Sequence, residues 1–223
     1  MSALCAPVFP ALTQGLVSSI IYRLPAGPVL LDGLPAVDQH RARGIQHAQT
    51  RATFVWGRKV LRHWLGQCIN GASRDLPIEV MDGRPFIPGN PVHFNLSHSE
   101  DHLMIAMAPH QPVGVDIECT ALVADALPLS RMVMSERETA LLSRLSGPAR
   151  QRAFLRLWVR REAYLKFRQT GFAGNDQTLT CLGPAIQVAR LEGQTKDHLW
   201  CITTRPKTRI TPPVHLSLTK EIP

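Results

Sequence analysis

Long apolar runs are missing from this 223-residue sequence. None approaches the ~18–20 residues that crossing a bilayer takes, so no membrane partner is expected. The opening "MSALCAPVFPALTQG" lacks a basic start followed by an apolar stretch, and no signal peptide is expected there. Cysteine is sparse: 5 residues, odd in number and without any Cys-x-x-Cys pair. That argues against a disulfide framework or a zinc ribbon and fits a reducing cytoplasm, each thiol being a small buried hydrophobe. Aromatics make up only 6%, and none interleave with basic residues as a platform for single-stranded nucleic acid would. Glycine signatures for phosphate loops are absent too, which removes the Walker-type and Rossmann readings. No Gly-x-Ser-x-Gly elbow occurs, so a serine hydrolase is weakly supported. Acidic residues are the scarcer charge, 17 against 25 basic, giving a net charge of +8. Such an excess favours an anionic partner, whether nucleic acid, a phosphorylated cofactor or an acidic protein.

Apolar residues amount to 44%, enough for a core in one large domain or two small ones. "LVSSIIY" (16–22) reads as a first strand. From Asp38 to Ile69 the apolar spacing is helical, with Gly71 ending the run. Arg51, Arg58 and Arg62 fall near one line of that helix, and a solvated basic face is the default expectation. Short strands follow in "IEVM", "HFNLS", "LMIAMA" and "VGVDIE". Ser135 and Glu138 form a capping box opening a helix to about Leu145. Pro148 opens another that runs to Thr170, with Gly171 as its cap. "TLTCLG", "AIQVA", "HLWCITT" and "VHLSLT" read as strands. Helix first and strands after, in each half, is an α+β arrangement.

The stretch "PVGVDIE" places Asp116 and Glu118 on one face of a strand whose other face carries Val115 and Ile117. Two like charges there repel and resist burial, unless the face is solvated or a cation pairs with each. In "FLRLWVRREAYLKF", Glu162 is centred on the apolar stripe of Leu155, Trp158, Val159 and Leu165 and therefore points inward. A local salt bridge to Lys166 at i+4 is the bland explanation. Three carboxylates together suit a hard divalent cation that shares its ligands with phosphates, and a lysine beside them suits a phosphate. Upstream, Ser97 and His98 in "FNLSHSE" read either as an ordinary turn or as donors to an anion.

In this order, Phe94-Asn95-Leu96-Ser97-His98-Ser99, Val113-Gly114-Val115-Asp116-Ile117-Glu118 and Trp158-x-x-Arg161-Glu162-Ala163-x-x-Lys166 resemble the motifs of the 4′-phosphopantetheinyl transferase superfamily. Gly83-Arg84-Pro85 is similar to the family's Gly-Lys-Pro, and the resemblance covers about residues 40–172. It implies two similar α/β lobes related by a pseudo-twofold, here 1–110 (coenzyme A side) and 111–223 (metal site and transferase helix), with the active site between them. It also implies transfer of the phosphopantetheine arm of coenzyme A to a serine of an apo acyl or peptidyl carrier protein, releasing adenosine 3′,5′-bisphosphate. By the same resemblance Asp116, Glu118 and Glu162 hold magnesium, with manganese as a substitute. Glu162 is the candidate base, acting directly or through water, and Lys166 balances charge on the pyrophosphate. Ser97 and His98 contact phosphates, Arg84 and Pro85 lie along the adenine, and Arg51 serves the 3′-phosphate.

Three departures stand out. Arg161 replaces the usual lysine before the glutamate, Glu100 stands where relatives carry glycine, and Gln169 occupies another frequent glycine position. Acidic carrier proteins would account for the +8 charge without nucleic acid. A magnesium-dependent nuclease is the rival class, since clustered acids, lysine and a positive surface suit it as well. A non-catalytic carrier-binding module is the third, and the intact acids and Lys166 speak against it. Two lobes in one chain complete a site, so a monomer is expected.

Overall fold

Strand-forming segments rich in β-branched and long apolar residues build two sheets, and two long helices supply the apolar stripes that cover them. The computed structural model describes residues 9–69, 76–81, 83–89, 92–121, 125–169, 179–182 and 187–217. Among these, the first half holds β1 (Leu16–Arg23), α1 (Ala36–Gly44), α2 (Ala48–Ile69), β2 (Glu79–Met81), β3 (Arg84–Phe86), β4 (Val92–Ser99) and β5 (His102–Pro109). The second holds β6 (Val113–Cys119), α3 (Ala126–Val133), α4 (Glu136–Ser143), α5 (Gly147–Arg168), β7 (Ala189–Gln194), β8 (His198–Thr204), β9 (Arg209–Ile210) and β10 (Val214–Ser217). No helix is long and apolar enough to cross a membrane among the described residues.

The first sheet runs β10-β1-β5-β4, with β9 also pairing β1. β9 and β10 lie parallel to β1, so residues 209–217 return to the sheet that contains β1. The second sheet is antiparallel in the order β6-β8-β7, and β2–β3 form a separate hairpin. Alternation decides which face each strand buries. Ile20, Tyr22, Phe94, Ile105 and Met107 pack with Trp64, Leu61 and Leu65 of α2. Val17, Ile21, Met104 and Ala106 meet Val115, Ile117, Trp200 and Ile202, which closes one sheet on the other. Leu199 and Cys201 on the far face of β8 pack with Phe154, Leu155, Val159 and Ala163 of α5. The result is a mixed α+β architecture with a long helix on the outer side of each sheet.

The single helix expected over 38–69 is two helices, separated at Ile45, whose backbone is extended (φ −80°, ψ 112°). Buried charge explains the break. Asp38 accepts from Arg62 Nε at 3.0 Å and lies 3.4 Å from Arg58 Nε. In one continuous helix those residues would stand ~30 Å or more apart at ~1.5 Å per residue. Folding α1 back onto α2 brings them together. The solvated basic face is thereby overturned for Arg58 and Arg62, which are buried; Arg51 is half-buried and donates to the Ile45 carbonyl. Burial pulls the Arg58 pKa below its ordinary value, against the attraction of Asp38.

The capping box at Ser135 and Glu138 forms with both of its hydrogen bonds, and α3 is an additional helix, capped by Asp125. α5 ends at Arg168 with Gln169 in the left-handed region (φ 60°), while the expected cap Gly171 lies outside the described residues. The strand expected at 185–189 instead begins at Ala189, and Cys181 and Leu182 are irregular. Gly71, Leu218, Thr219 and the rest of "TLTCLG" also lie outside them, apart from residues 179–182.

Asp38→Ala leaves the buried guanidinium groups of Arg58 and Arg62 without the carboxylate they share. A loss of ~3–5 kcal/mol is expected from removing one partner of a buried charge network, read as a lower urea midpoint. A midpoint equal to wild type would mean that the ion pairs do not fasten α1.

Candidate active site

β4 and β6 lie side by side where the two sheets meet, and side chains replace part of a backbone ladder. Asn95, Ser97 and Ser99 share one face of β4 by the period of two, as Gly114, Asp116 and Glu118 share one face of β6. The Val115 N–H donates to Asn95 Oδ1 at 2.9 Å, and the Cys119 N–H to Ser99 Oγ at 3.0 Å. Ser97 Oγ donates to Asp116 Oδ1 at 2.8 Å, and Ser99 Oγ to Glu118 Oε2 at 3.0 Å. Both carboxylates are thus aimed by serines of the neighbouring strand.

α5 lies on the same face of β6. Trp158, Glu162 and Lys166 recur every four residues, so they form one row along the helix. Trp158 Nε1 donates to Glu118 Oε1 at 3.2 Å. Lys166 Nζ donates to Asp116 Oδ1 at 2.7 Å and to Ser97 Oγ at 3.0 Å. The local Glu162–Lys166 bridge does not form, because the ammonium reaches across to the strand. Glu162 lies between, only 9% exposed. Glu162 Oε1 and Asp116 Oδ2 are buried without a hydrogen-bond partner. Leu96, Ser97, His98, Asp116, Glu118, Trp158, Glu162 and Lys166 line one open cleft.

The electrostatics follow from this crowding. Burial, then the Asp116 and Glu118 charges, push the Glu162 pKa up to about 7, with Lys166 and Arg161 opposing. Burial and Asp116 also raise Glu118, while its bonds from Ser99 and Trp158 pull the other way. His98, at the solvent-facing mouth, has its pKa lowered by desolvation and by the Lys166 ammonium. Oxygen-only donors with two orphaned oxygens fit a hard divalent cation. Among the described residues, Asp116, Glu118 and Glu162 are not a group whose ligand atoms all lie within 4.8 Å of one another, and their like charges repel. Rotation of the unbonded carboxylate oxygens toward a shared ion would relieve the repulsion.

A second hollow is lined by Arg84, Pro85, Phe86, His93, Asn95 and Lys166, among others, so Lys166 borders both cavities. Arg84 and Pro85 come from the β2–β3 hairpin, and Arg84 Nη1 is buried without a hydrogen-bond partner. Arg51 is not among the residues lining either hollow. Arg161 faces away from the cleft's polar row: it is 1% exposed and donates to Glu138 Oε2 at 3.0 Å. Glu100 adopts a left-handed backbone (φ 52°) at the β4–β5 turn, a conformation that glycine would take without strain. Asn95, Ser99 and Trp158 were not among the expected site residues. The alternation of Asn95, Ser97 and Ser99, and the four-residue step from Trp158 to Glu162, are the signals that could have found them.

The family model described as the 4′-phosphopantetheinyl transferase superfamily matches residues 112–216. The chain is 32% identical to the 4′-phosphopantetheinyl transferase AcpT of Escherichia coli K12 over 153 residues, spanning 66% of this chain and 73% of that one. The chain belongs to the 4′-phosphopantetheinyl transferase superfamily. Within the superfamily it is also 28% identical over 149 residues to HetI of Nostoc sp. strain PCC 7120, spanning 65% of this chain and 63% of HetI. With Sfp of Bacillus subtilis strain 168 the identity is 32% over 137 residues, 60% of either chain. The chain thus spans less than two thirds of the length of HetI and of Sfp. Asp116, Glu118, Glu162 and Lys166 all fall inside the stretch matched by the superfamily model.

Glu162 makes the metal-free protein pH-sensitive in a defined direction. Its folded pKa of about 7 lies above the usual carboxylate value, so the folded state holds its proton longer than the unfolded chain. The resulting cost is absent below about pH 4.5, grows as pH rises and is complete above about pH 7. In metal-free buffer Glu162→Gln should therefore be more stable than wild type at pH 8 by roughly 3 kcal/mol, and so melt higher, while the two melt almost identically at pH 4.5. Equal melting at pH 8 would show that the carboxylate is not held in a desolvated, like-charged setting.

Proposed function

We propose that this protein transfers the 4′-phosphopantetheine arm of coenzyme A to a serine hydroxyl of an apo acyl or peptidyl carrier protein, releasing adenosine 3′,5′-bisphosphate. The observation that carries the reading is the convergence of Asp116, Glu118, Glu162 and Lys166 in one cleft bordered by Ser97 and His98. A magnesium ion held by the three carboxylates, with manganese as a substitute, would neutralise the pyrophosphate charge that repels an incoming oxygen. Lys166, shared by the cleft and the Arg84–Pro85 hollow, is placed to follow the pyrophosphate from one to the other. Ser97 and His98 contact the coenzyme's phosphates, Arg84 and Pro85 lie along the adenine, and Arg51 serves the 3′-phosphate from outside the hollow. Glu162, whose Oε1 is buried in the cleft without a hydrogen-bond partner, is the base proposed for the carrier serine, acting directly or through one water. The serine oxygen then forms the new P–O bond while the bond to the departing bisphosphate breaks.

The reading extends to a two-lobe organisation divided near residue 110, and to a monomeric, cytoplasmic enzyme. A surplus of basic over acidic residues, 25 against 17, suits both a coenzyme with several phosphates and an acidic carrier. None of the relatives named above is a nuclease, and no observation of the site favours that rival.

Incubation with coenzyme A, magnesium and an apo carrier should add one phosphopantetheine arm to the carrier, read by mass. Chelation with EDTA should abolish the gain, and Glu162→Ala should slow it ~10²–10⁴-fold in a folded protein. No gain on fatty-acid, polyketide and peptide carriers alike would refute the transferase reading. Wild-type rates in Glu162→Ala would refute the role given to that carboxylate.

A further inference from the structure

A second group of ligand-bearing side chains lies outside the lining of the carboxylate cleft. Asp101 and His102 stand at the β4–β5 turn of the first sheet, and His198 opens β8 of the second. Among the described residues, these three are the His/Cys/Asp/Glu group whose ligand atoms all lie within 4.8 Å of one another. His102 Nδ1 is 2.7 Å from Asp101 Oδ1, and the two imidazole rings lie 4.0 Å apart by centroid. His198 is 3% exposed; its Nε2 is 3.3 Å from the Ser99 carbonyl oxygen, and its Nδ1 is buried with no hydrogen-bond partner. A buried imidazole whose Nε2 donates to a carbonyl presents an unused lone pair on Nδ1. Leaving it so has a desolvation cost that a ligand would offset.

We infer that Asp101, His102 and His198 form a binding site for a divalent transition-metal ion of the zinc type, distinct from the carboxylate cleft. Two imidazoles and one carboxylate are the donor set of borderline metals, whereas magnesium takes oxygen donors alone. Arg23 Nε holds Asp101 Oδ2 at 2.8 Å, orienting the carboxylate and leaving Oδ1 on the histidine side. His102 and Asp101 are partly exposed, so an ion can enter from solvent and keep water as its fourth ligand. An ion there would cross-link the tip of the first sheet to the start of β8. It would lie beside Ser99, whose hydroxyl aims Glu118.

The test uses tag-free, chelator-stripped protein titrated with Zn²⁺ in buffer containing excess Mg²⁺, followed by calorimetry. It is run in wild type and in Glu162→Gln, so that zinc entering the carboxylate cleft is recognised by its loss. One Zn²⁺ per chain is expected in both. His102→Gln, and separately Asp101→Asn, should weaken that binding roughly ten- to a hundredfold, with the circular dichroism spectrum unchanged. Either variant alone suffices if the other fails to fold. Absence of zinc binding in Glu162→Gln, or undiminished affinity in the folded variants, would overturn the site. Both outcomes are independent of whether the protein transfers phosphopantetheine.

Discussion

At Gly114 the backbone of α5 comes so close to β6 that an added Cβ would stand 2.1 Å from the Ala163 carbonyl oxygen and 2.4 Å from the Phe167 nitrogen. Only a residue without a side chain permits that approach, and relief would require backbone rather than side chains to move. The contact sets both the height and the rotation of α5 over the strand. With the helix seated there, its four-residue row of Trp158, Glu162 and Lys166 meets the two-residue row of Asp116 and Glu118. Gly114 belongs to the same face of β6 as the two acids, so one strand supplies both the docking point and the charge.

Buried charge appears in two forms in this fold. Around Glu138 every demand is met: it completes a capping box, accepts from Arg161 and accepts from the Cys181 N–H. Asp38 likewise anchors Arg58 and Arg62. These networks hold helices to one another. In the cleft the balance is different, because a single ammonium faces three carboxylates and two oxygens stay unbonded. Unmet polar demand of that kind clusters at functional sites, and better-paired networks elsewhere let the fold tolerate it.

Much of the site could be read from residue spacing. The alternation in 113–118 put Val115 and Ile117 in the core between the sheets, and Glu162 on an apolar stripe did turn inward. Lys166 shows where spacing runs out: i+4 to Glu162 is a local relation, while the choice of Asp116 depends on how far α5 lies over β6. The helix break at Ile45 was hidden for the same reason. Periodicity describes a helix face but does not register that Asp38 needs partners 20 and 24 residues further on. Arg161, conspicuous as a departure from lysine, is a packing residue bound to Glu138, a pairing that no local pattern encodes.

The two parallel partners of β1 come from the far end of the chain, β10 beginning at Val214 although β1 finishes at Arg23. During synthesis that edge therefore waits for ~190 residues, on the order of ten to forty seconds at ordinary elongation speeds. The antiparallel neighbour β5 emerges much earlier and can pair first. A nascent chain thus carries a half-finished sheet with an open edge until β10 has been made, an edge that is a pairing hazard for as long as it stays uncovered.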